Sequence, residues 1–297
     1  MKIFDCFMYF DEDLLLDLRL NYLNKYVDYF VIVESRFNHK GELKKLKFEK
    51  KNFQKFENKI IHIVQEQEPE GIEEIKPNES KIEKNQKYIL NAGRRENAQR
   101  NTISEGLEKA NKGDWIIISD LDEIPNLENF DAEKIREKFT FFKQDMMYYK
   151  FNLKFNNFKW VGSKACKKKD LISPQWLRSI KDRNYPWWRL DIHFSKKKYS
   201  NIKFINNGGW HFSYLKTPEE IEYKLKSYLH HREYDLNPIG IDKIKNLIFE
   251  KKAIYNLCLD QTSDKKIGTG ANLVKVNLDT LPNYVIKNKE KLERWID

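Results

Sequence analysis

Trp115-Ile116-Ile117-Ile118-Ser119-Asp120-Leu121-Asp122-Glu123-Ile124-Pro125 is a short apolar run that stops at two carboxylates two residues apart. A continuous run of this length, rich in β-branched side chains, predicts a strand buried on both faces of a sheet. Carboxylates at the carboxyl end of such a strand stand where open α/β sheets bind their ligands. Hard oxygen donors there suit Mn²⁺ or Mg²⁺, which hold diphosphates through few protein ligands. The stretch reads as a metal–nucleotide anchor. Asp11-Glu12-Asp13 has the same Asp-x-Asp spacing but precedes Leu14, Leu15, Leu18 and Tyr22 at helical spacing. Acids in a first helical turn follow from the macrodipole and from capping, so no metal is expected there.

Upstream of the anchor, strand and helix patterns alternate. Residues 3–9 read as a strand, 13–27 as an amphipathic helix, 29–33 as a second buried strand and 60–64 as a short third one. Residues 66–87, acidic and polar with Pro69, Gly71 and Pro77, read as a loop. A helix over 95–110, with Ile103, Leu107 and Ala110 on one face, leads into the Trp115 strand. This alternation predicts an α/β fold with a mostly parallel sheet and right-handed crossovers. Downstream, 148–155 and 202–205 read as strands of a mixed extension. Trp160, Trp176, Trp187 and Trp188 lie in basic, irregular sequence between them, either as a sugar-stacking wall or as core. Thr217-Pro218-Glu219-Glu220 is a capping box that opens a helix carrying Ile221, Leu225 and Leu229. Further helices are expected over 241–257 and from about Pro282. One catalytic domain is therefore expected, with a nucleotide-binding half (1–126), an acceptor-side half (127–216) and a helical segment (217–297).

Composition narrows the classes. With 40% apolar and 14% aromatic residues, the 297-residue chain can bury a large core and is not a disordered protein. No apolar run reaches the ~18 residues of a membrane span, and no signal-peptide pattern opens the chain. Cys6, Cys166 and Cys258 are scattered and odd in number, which argues against a disulfide framework or a zinc site and for a reducing cytoplasm. The net charge of +10 comes mostly from lysine patches such as Lys44, Lys45 and Lys47, Lys167 to Lys169, and Lys196 to Lys198. No nucleic-acid module accompanies them, so nucleic acid is not an expected partner.

Three other clusters carry chemistry. Arg94, Arg95, Asn97 and Arg100 open the predicted helix that leads into the anchor strand, where arginines favour a pyrophosphate; an exposed arginine pair with a glutamate partner is the competing reading. Glu34 ends a buried strand and suits a ribose or base; a loop cap is the competing reading. In Gly208-Gly209-Trp210-His211-Phe212-Ser213-Tyr214 the glycines allow close backbone approach, and His211 is, of the six histidines, the candidate to complete a metal shell with Asp122; a satisfied core histidine among aromatics is the competing reading.

"FDCFMYFDEDLLLDLRLNYLNKYVDYFVIVES", "GRRENAQRNTI", "DWIIISDLDEIP" and "GGWHFSYLKTPEEIEYKL", in this order, resemble glycosyltransferase family 17, the β-1,4-mannosyl-glycoprotein 4-β-N-acetylglucosaminyltransferase family. The likeness runs from Lys2 to about Glu233, with an echo at Leu281-Pro282-Asn283-Tyr284. It implies a GT-A-type fold, UDP-N-acetylglucosamine as donor, a divalent metal (Mn²⁺ or Mg²⁺) and inversion at the anomeric carbon. Asp120 and Asp122 are then the Asp-x-Asp pair, and His211 is the histidine of the Gly-Trp-His motif. On this reading Phe7, Glu34, Arg94, Arg95, Asn97, Arg100 and Asp120 hold the nucleotide, and Asp120, Asp122 and His211 hold the metal. Trp187, Trp188, Trp210 and Tyr214 receive the glycan acceptor. Asp191 is the first candidate for the base that deprotonates the acceptor hydroxyl, and Glu123 is the second. The expected setting is surface-glycan synthesis in the cytoplasm, with lysine patches meeting anionic lipid at the inner face of a membrane. The alternatives are another nucleotide sugar, or a non-catalytic polyanion-binding protein on the same fold.

Overall fold

The computed structural model describes residues 1–228, 231–255 and 270–297. Strands β1 (Ile3–Tyr9), β2 (Tyr29–Ser35), β3 (Ile60–Gln65) and β4 (Trp115–Asp120) pair in parallel in the order β3-β2-β1-β4. The mostly apolar composition of β1, β2 and β4 follows from cover on both faces. Phe7, Ile32 and Ile117 point into one core with the leucines of helix α1 (Asp13–Leu23). Their neighbours Cys6, Val33 and Ile118 point into a second core with Ile103, Leu107 and Leu177. Alternate side chains of a strand face opposite ways, so a strand between two cores has no polar face.

Beyond β4 the sheet changes character. It continues antiparallel through β7 (Leu153–Lys167) and β6 (Phe139–Tyr148), then parallel to β9 (Gly209–Ser213), and ends on the short β5 (Glu123–Pro125). β8 (Ile202–Ile205) pairs with β6, and β10 (Leu273–Lys275) pairs with β7. The result is a mixed ten-stranded sheet; the expected parallel pairing holds for its first four strands. Residues 148–155, expected as one strand, instead span the end of β6, a turn at 149–152 and the start of β7, and Tyr149 in the turn takes a left-handed φ of 61°.

The second helix, α2 (Lys81–Asn101), starts well before residue 95 because Ser80 and Glu83 form a reciprocal capping box. A 3₁₀ turn, Thr102–Leu107, replaces its expected continuation. Arg94, Arg95 and Arg100 therefore stand in the middle and last turns of the helix, and the argument from a helix N-terminus does not apply to them. Two short helices, α3 (Pro174–Ser179) and α4 (Leu190–Phe194), follow β7. The expected Thr217 capping box, closed by Glu220, opens α5 (Pro218–Ser227). α6 (His231–Leu236) and α7 (Gly240–Phe249) come next; α7 ends before residue 257, which lies outside the described residues. α8 (Asn283–Lys287) follows Pro282 and returns the chain to α1, with Leu281 and Val285 in the first core and the Tyr284 hydroxyl donating to Asp17. Among the described residues no helix is long and apolar enough to cross a membrane.

Candidate active site

The Asp120–Glu123 turn links the end of β4 to β5, and buried charge shapes it. Arg19, fully buried on α1, donates to both carboxylate oxygens of Asp5 at 2.6 and 2.7 Å. Its remaining nitrogen donates to the carbonyls of Asp120 (3.0 Å), Leu121 (3.1 Å) and Glu123 (2.7 Å). Three turn carbonyls thus find a partner that no strand could supply. Glu123 is also fully buried, and it accepts from the Asp120 amide (2.8 Å), the Trp160 indole (2.6 Å) and the Arg178 guanidinium (2.7 and 2.9 Å).

The two aspartates divide the surrounding cations between them. Asp120 lies between Arg100 and Arg178, each at 2.9 Å. Asp122 faces His211 Nε2 at 3.5 Å and Lys224 at 3.3 Å. Burial pushes both carboxyls up, but Arg178 and Arg100 at one and Lys224 and His211 at the other hold them below the usual carboxylate range. His211 responds in the opposite sense: burial pushes it down, and Asp122 outweighs that and raises it.

Register brings His211 to this place. β5 runs antiparallel to β9 with Glu123 opposite His211, and the Phe212 amide donates to the Asp122 carbonyl at 2.8 Å. Gly209 has φ of +116°, and a Cβ there would collide with the Ile124 carbonyl oxygen. The double glycine is therefore the condition for seating this strand against the acidic turn.

The turn floors a cavity of about 440 Å³. One wall is the Phe37-Asn38-His39 segment after β2 together with Glu96 and Gln99 of α2; Trp160, Tyr148 and Tyr214 form an aromatic wall, and Glu12 and Lys224 close another side. Glu12 and Asp11 do more than open α1. Glu12 makes no cap hydrogen bond; it reaches Lys224 at 3.5 Å, and Asp11 reaches Lys216 at 2.6 Å.

Of the residues expected in the site, Asp120, Asp122, Glu123, His211 and Tyr214 line the cavity, and Arg100 stands behind Asp120. Others do not reach it. Phe7 is core, with the Arg19 guanidinium 4.6 Å from its ring centroid. Arg94 and Arg95 pair with Glu73 (2.8 Å) and Glu68 (2.6 Å), and Asn97 is exposed. Trp210 packs on Tyr22 and donates to the Thr280 carbonyl at 2.9 Å. Trp187, Trp188 and Asp191 are on an exposed segment, where Asp191 pairs with Arg189 (2.9 Å) and Lys198 (2.6 Å). Glu123, with both oxygens engaged by donors, braces the turn and is not poised to take a proton.

Glu34 realises the loop-cap reading. It accepts from Lys44 (2.8 Å) and from the amides of Lys47 (2.7 Å) and Phe48 (3.1 Å). Burial pushes its carboxyl up, but His62, Lys44 and the Lys47 amide outweigh this and hold it down from 4.5 to about 2. A depressed carboxyl stabilises the fold fully above pH 4.5 and loses that contribution as pH falls toward 2. We predict that Glu34→Gln removes up to about 3 kcal/mol at neutral pH and flattens the acid limb of stability. Urea unfolding at pH 7 and pH 3 checks this; equal sensitivity of both proteins to pH would refute it.

Sequence reading missed Arg178, Lys224 and Arg19, whereas Trp160, read as either a sugar-stacking wall or core, does line the cavity. Ser173-Pro174 was a legible helix start for Arg178, and Lys224 sits beside Ile221 and Leu225 on a predicted helix. Their partners lie 58 and 102 residues away, beyond any local pattern.

A carboxylate oxygen and an imidazole nitrogen facing each other across 3.5 Å fit two ligands of one divalent cation, and the nitrogen suits Mn²⁺ better than Mg²⁺. Among the described residues, His211 Nδ1 is buried without a hydrogen-bond partner. Asp120, held by two arginines, is not free for the same role. Among the described residues no three His, Cys, Asp or Glu side chains converge as a cluster. The remaining ligands would then come from a diphosphate and water, as is usual for these ions.

An acidic turn, the cations paired with it and an aromatic wall thus surround one cleft. The chain belongs to glycosyltransferase family 17, whose model matches residues 1–295. It is therefore a glycosyltransferase, taking a sugar donor and a glycan acceptor. Comparison with curated proteins gives no match.

Proposed function

We propose that the cavity binds UDP-N-acetylglucosamine and transfers N-acetylglucosamine, with inversion, to a hydroxyl of a surface glycan, on a fold of the GT-A type. One observation carries this reading: Asp122 and His211 meet at the carboxyl end of the parallel strands, inside a cavity that also holds an aromatic wall. That edge of an α/β sheet is where nucleotides bind. The parallel order of the first four strands supports the GT-A assignment.

In the reaction an acceptor oxygen forms a bond to the anomeric carbon as the bond from that carbon to the diphosphate breaks. The acceptor proton passes to a base, and UDP leaves with the electron pair. Asp122 and His211 would hold a divalent cation, whose charge would neutralise that developing on the departing diphosphate. Lys224 adds a second positive charge at the same place, and Arg178 and Arg100 fix Asp120 so that the turn does not shift as charge moves. Trp160, Tyr148 and Tyr214 exclude water and offer apolar faces to a sugar ring.

The deciding experiment measures UDP release and product from UDP-N-acetylglucosamine with Mn²⁺ and candidate glycan acceptors, beside a panel of other nucleotide sugars. The expected outcome is turnover that needs Mn²⁺ and prefers this donor. His211→Ala should raise the Mn²⁺ concentration needed for half-maximal turnover about 10-fold or more. An unchanged metal titration would return His211 to a structural role, and preference for another sugar would replace the donor.

A further inference from the structure

Residues 181–198 are unlike the rest of the surface. Trp187 (73%), Trp188 (67%), Leu190 (78%) and Phe194 (89%) stay exposed within eight positions, whereas Trp115 (0%), Trp210 (8%) and Trp176 (9%) are buried. Single exposed apolar residues need no explanation, but four large ones on one short segment do. The same stretch carries Lys181, Arg183, Arg189, Lys196, Lys197 and Lys198 against only Asp182 and Asp191.

The segment is a held projection. Its neck is closed by the Tyr185 amide on the Tyr199 carbonyl (2.9 Å) and by the Lys181 amide on the Lys197 carbonyl (2.8 Å). Asn184 clamps the Ile202 backbone at both its amide (2.7 Å) and its carbonyl (3.0 Å). Buried Tyr185 plugs the base, with Arg183, Arg189 and Lys198 around its ring. None of residues 181–198 lines the cavity, so the tryptophans are not placed to stack on a sugar there.

We propose that this loop seats the protein on an anionic lipid surface, with Trp187, Trp188, Leu190 and Phe194 entering the boundary between headgroups and acyl chains. Lys196, Lys197 and Lys198 then meet the lipid phosphates. The charge sign commits the occupant: a cationic rim around an apolar tip fits an anionic bilayer, which offers both chemistries in one plane. Tryptophan favours that boundary because its ring is apolar and its N–H polar.

The test is co-sedimentation of the full chain with vesicles of phosphatidylcholine alone and of phosphatidylcholine with phosphatidylglycerol. Binding is expected to the anionic vesicles and to fall as salt rises. Trp187→Ser/Trp188→Ser should weaken it about 10-fold or more. Replacing the three lysines by serine should weaken it about 10²-fold, from about fivefold per charge. All variants lie outside the cavity and should keep UDP release from the donor unchanged. Equal binding by wild type and variants, or none to anionic vesicles, overturns the proposal. Variants that bind vesicles normally but raise KM for a glycan acceptor would overturn it by making the loop an acceptor site. Loss of a concentration-dependent dimer, with no vesicle effect, would make it a self-association surface.

Discussion

Asp122→Ala is expected to lower kcat/KM for sugar transfer by about 10³-fold or more while the protein stays folded. Asp122 is the only member of the acidic pair that faces an imidazole, and its replacement leaves His211 and Lys224 without their shared carboxylate. Removing one preorganised electrostatic group at a reacting centre costs about 10²–10³-fold, and losing a cation with it costs more. The fold should survive because the turn is held by Arg19 and Glu123, neither of which depends on the Asp122 side chain. Steady-state kinetics across a Mn²⁺ titration, with circular dichroism as the folding control, reads the result. Metal-dependent turnover within tenfold of wild type would remove Asp122 from the chemistry. Asp120→Ala is a different experiment, because it leaves Arg100 and Arg178 facing each other and disturbs the turn.

The largest effect on stability belongs to Arg19. Arg19→Met leaves Asp5 buried without a counter-charge and removes the donor to three turn carbonyls. Breaking a buried ion pair from one side costs about 3–5 kcal/mol, and unpaired buried carbonyls add to that. We expect a loss in this range in urea unfolding, together with lost turnover from a displaced turn. The double variant Asp5→Leu/Arg19→Met should recover part of the stability, since apolar replacement of a buried pair is often neutral. It should not recover activity, because the turn carbonyls still lack their donor. A loss below about 1 kcal/mol in the single variant would show that water or a shifted neighbour replaces Arg19.

Local chemistry written over a few residues was legible without coordinates. The apolar run into Asp120 and Asp122 reads as a buried strand with an acidic tip because both faces of β4 are covered and its end opens on the cavity. The Thr217 box specifies the start of α5 because capping involves groups only three residues apart. The Ser80–Glu83 box was equally written in the chain but lay in polar sequence that resembled a loop, and overlooking it misplaced the arginines on their helix. The hairpin turn at Tyr149 was hidden because the strand-like alternation of apolar and polar residues, Tyr149-Lys150-Phe151-Asn152-Leu153-Lys154-Phe155, runs straight across it.

The apolar runs of the first strands, the acidic tip of β4 and the family likeness carried by four ordered motifs are all written in the order of residues. Which charges meet is a property of the fold. Arg178 reaches Asp120 across 58 residues, Lys224 reaches Asp122 across 102, and Arg19 ties Asp5 to a turn it never neighbours in the chain. Coulombic partners in a buried site are chosen by distance in space and by desolvation, and neither is encoded in any window of residues. The same reason separates the tryptophans: packing buries Trp176 and Trp210 and leaves Trp187 and Trp188 in solvent.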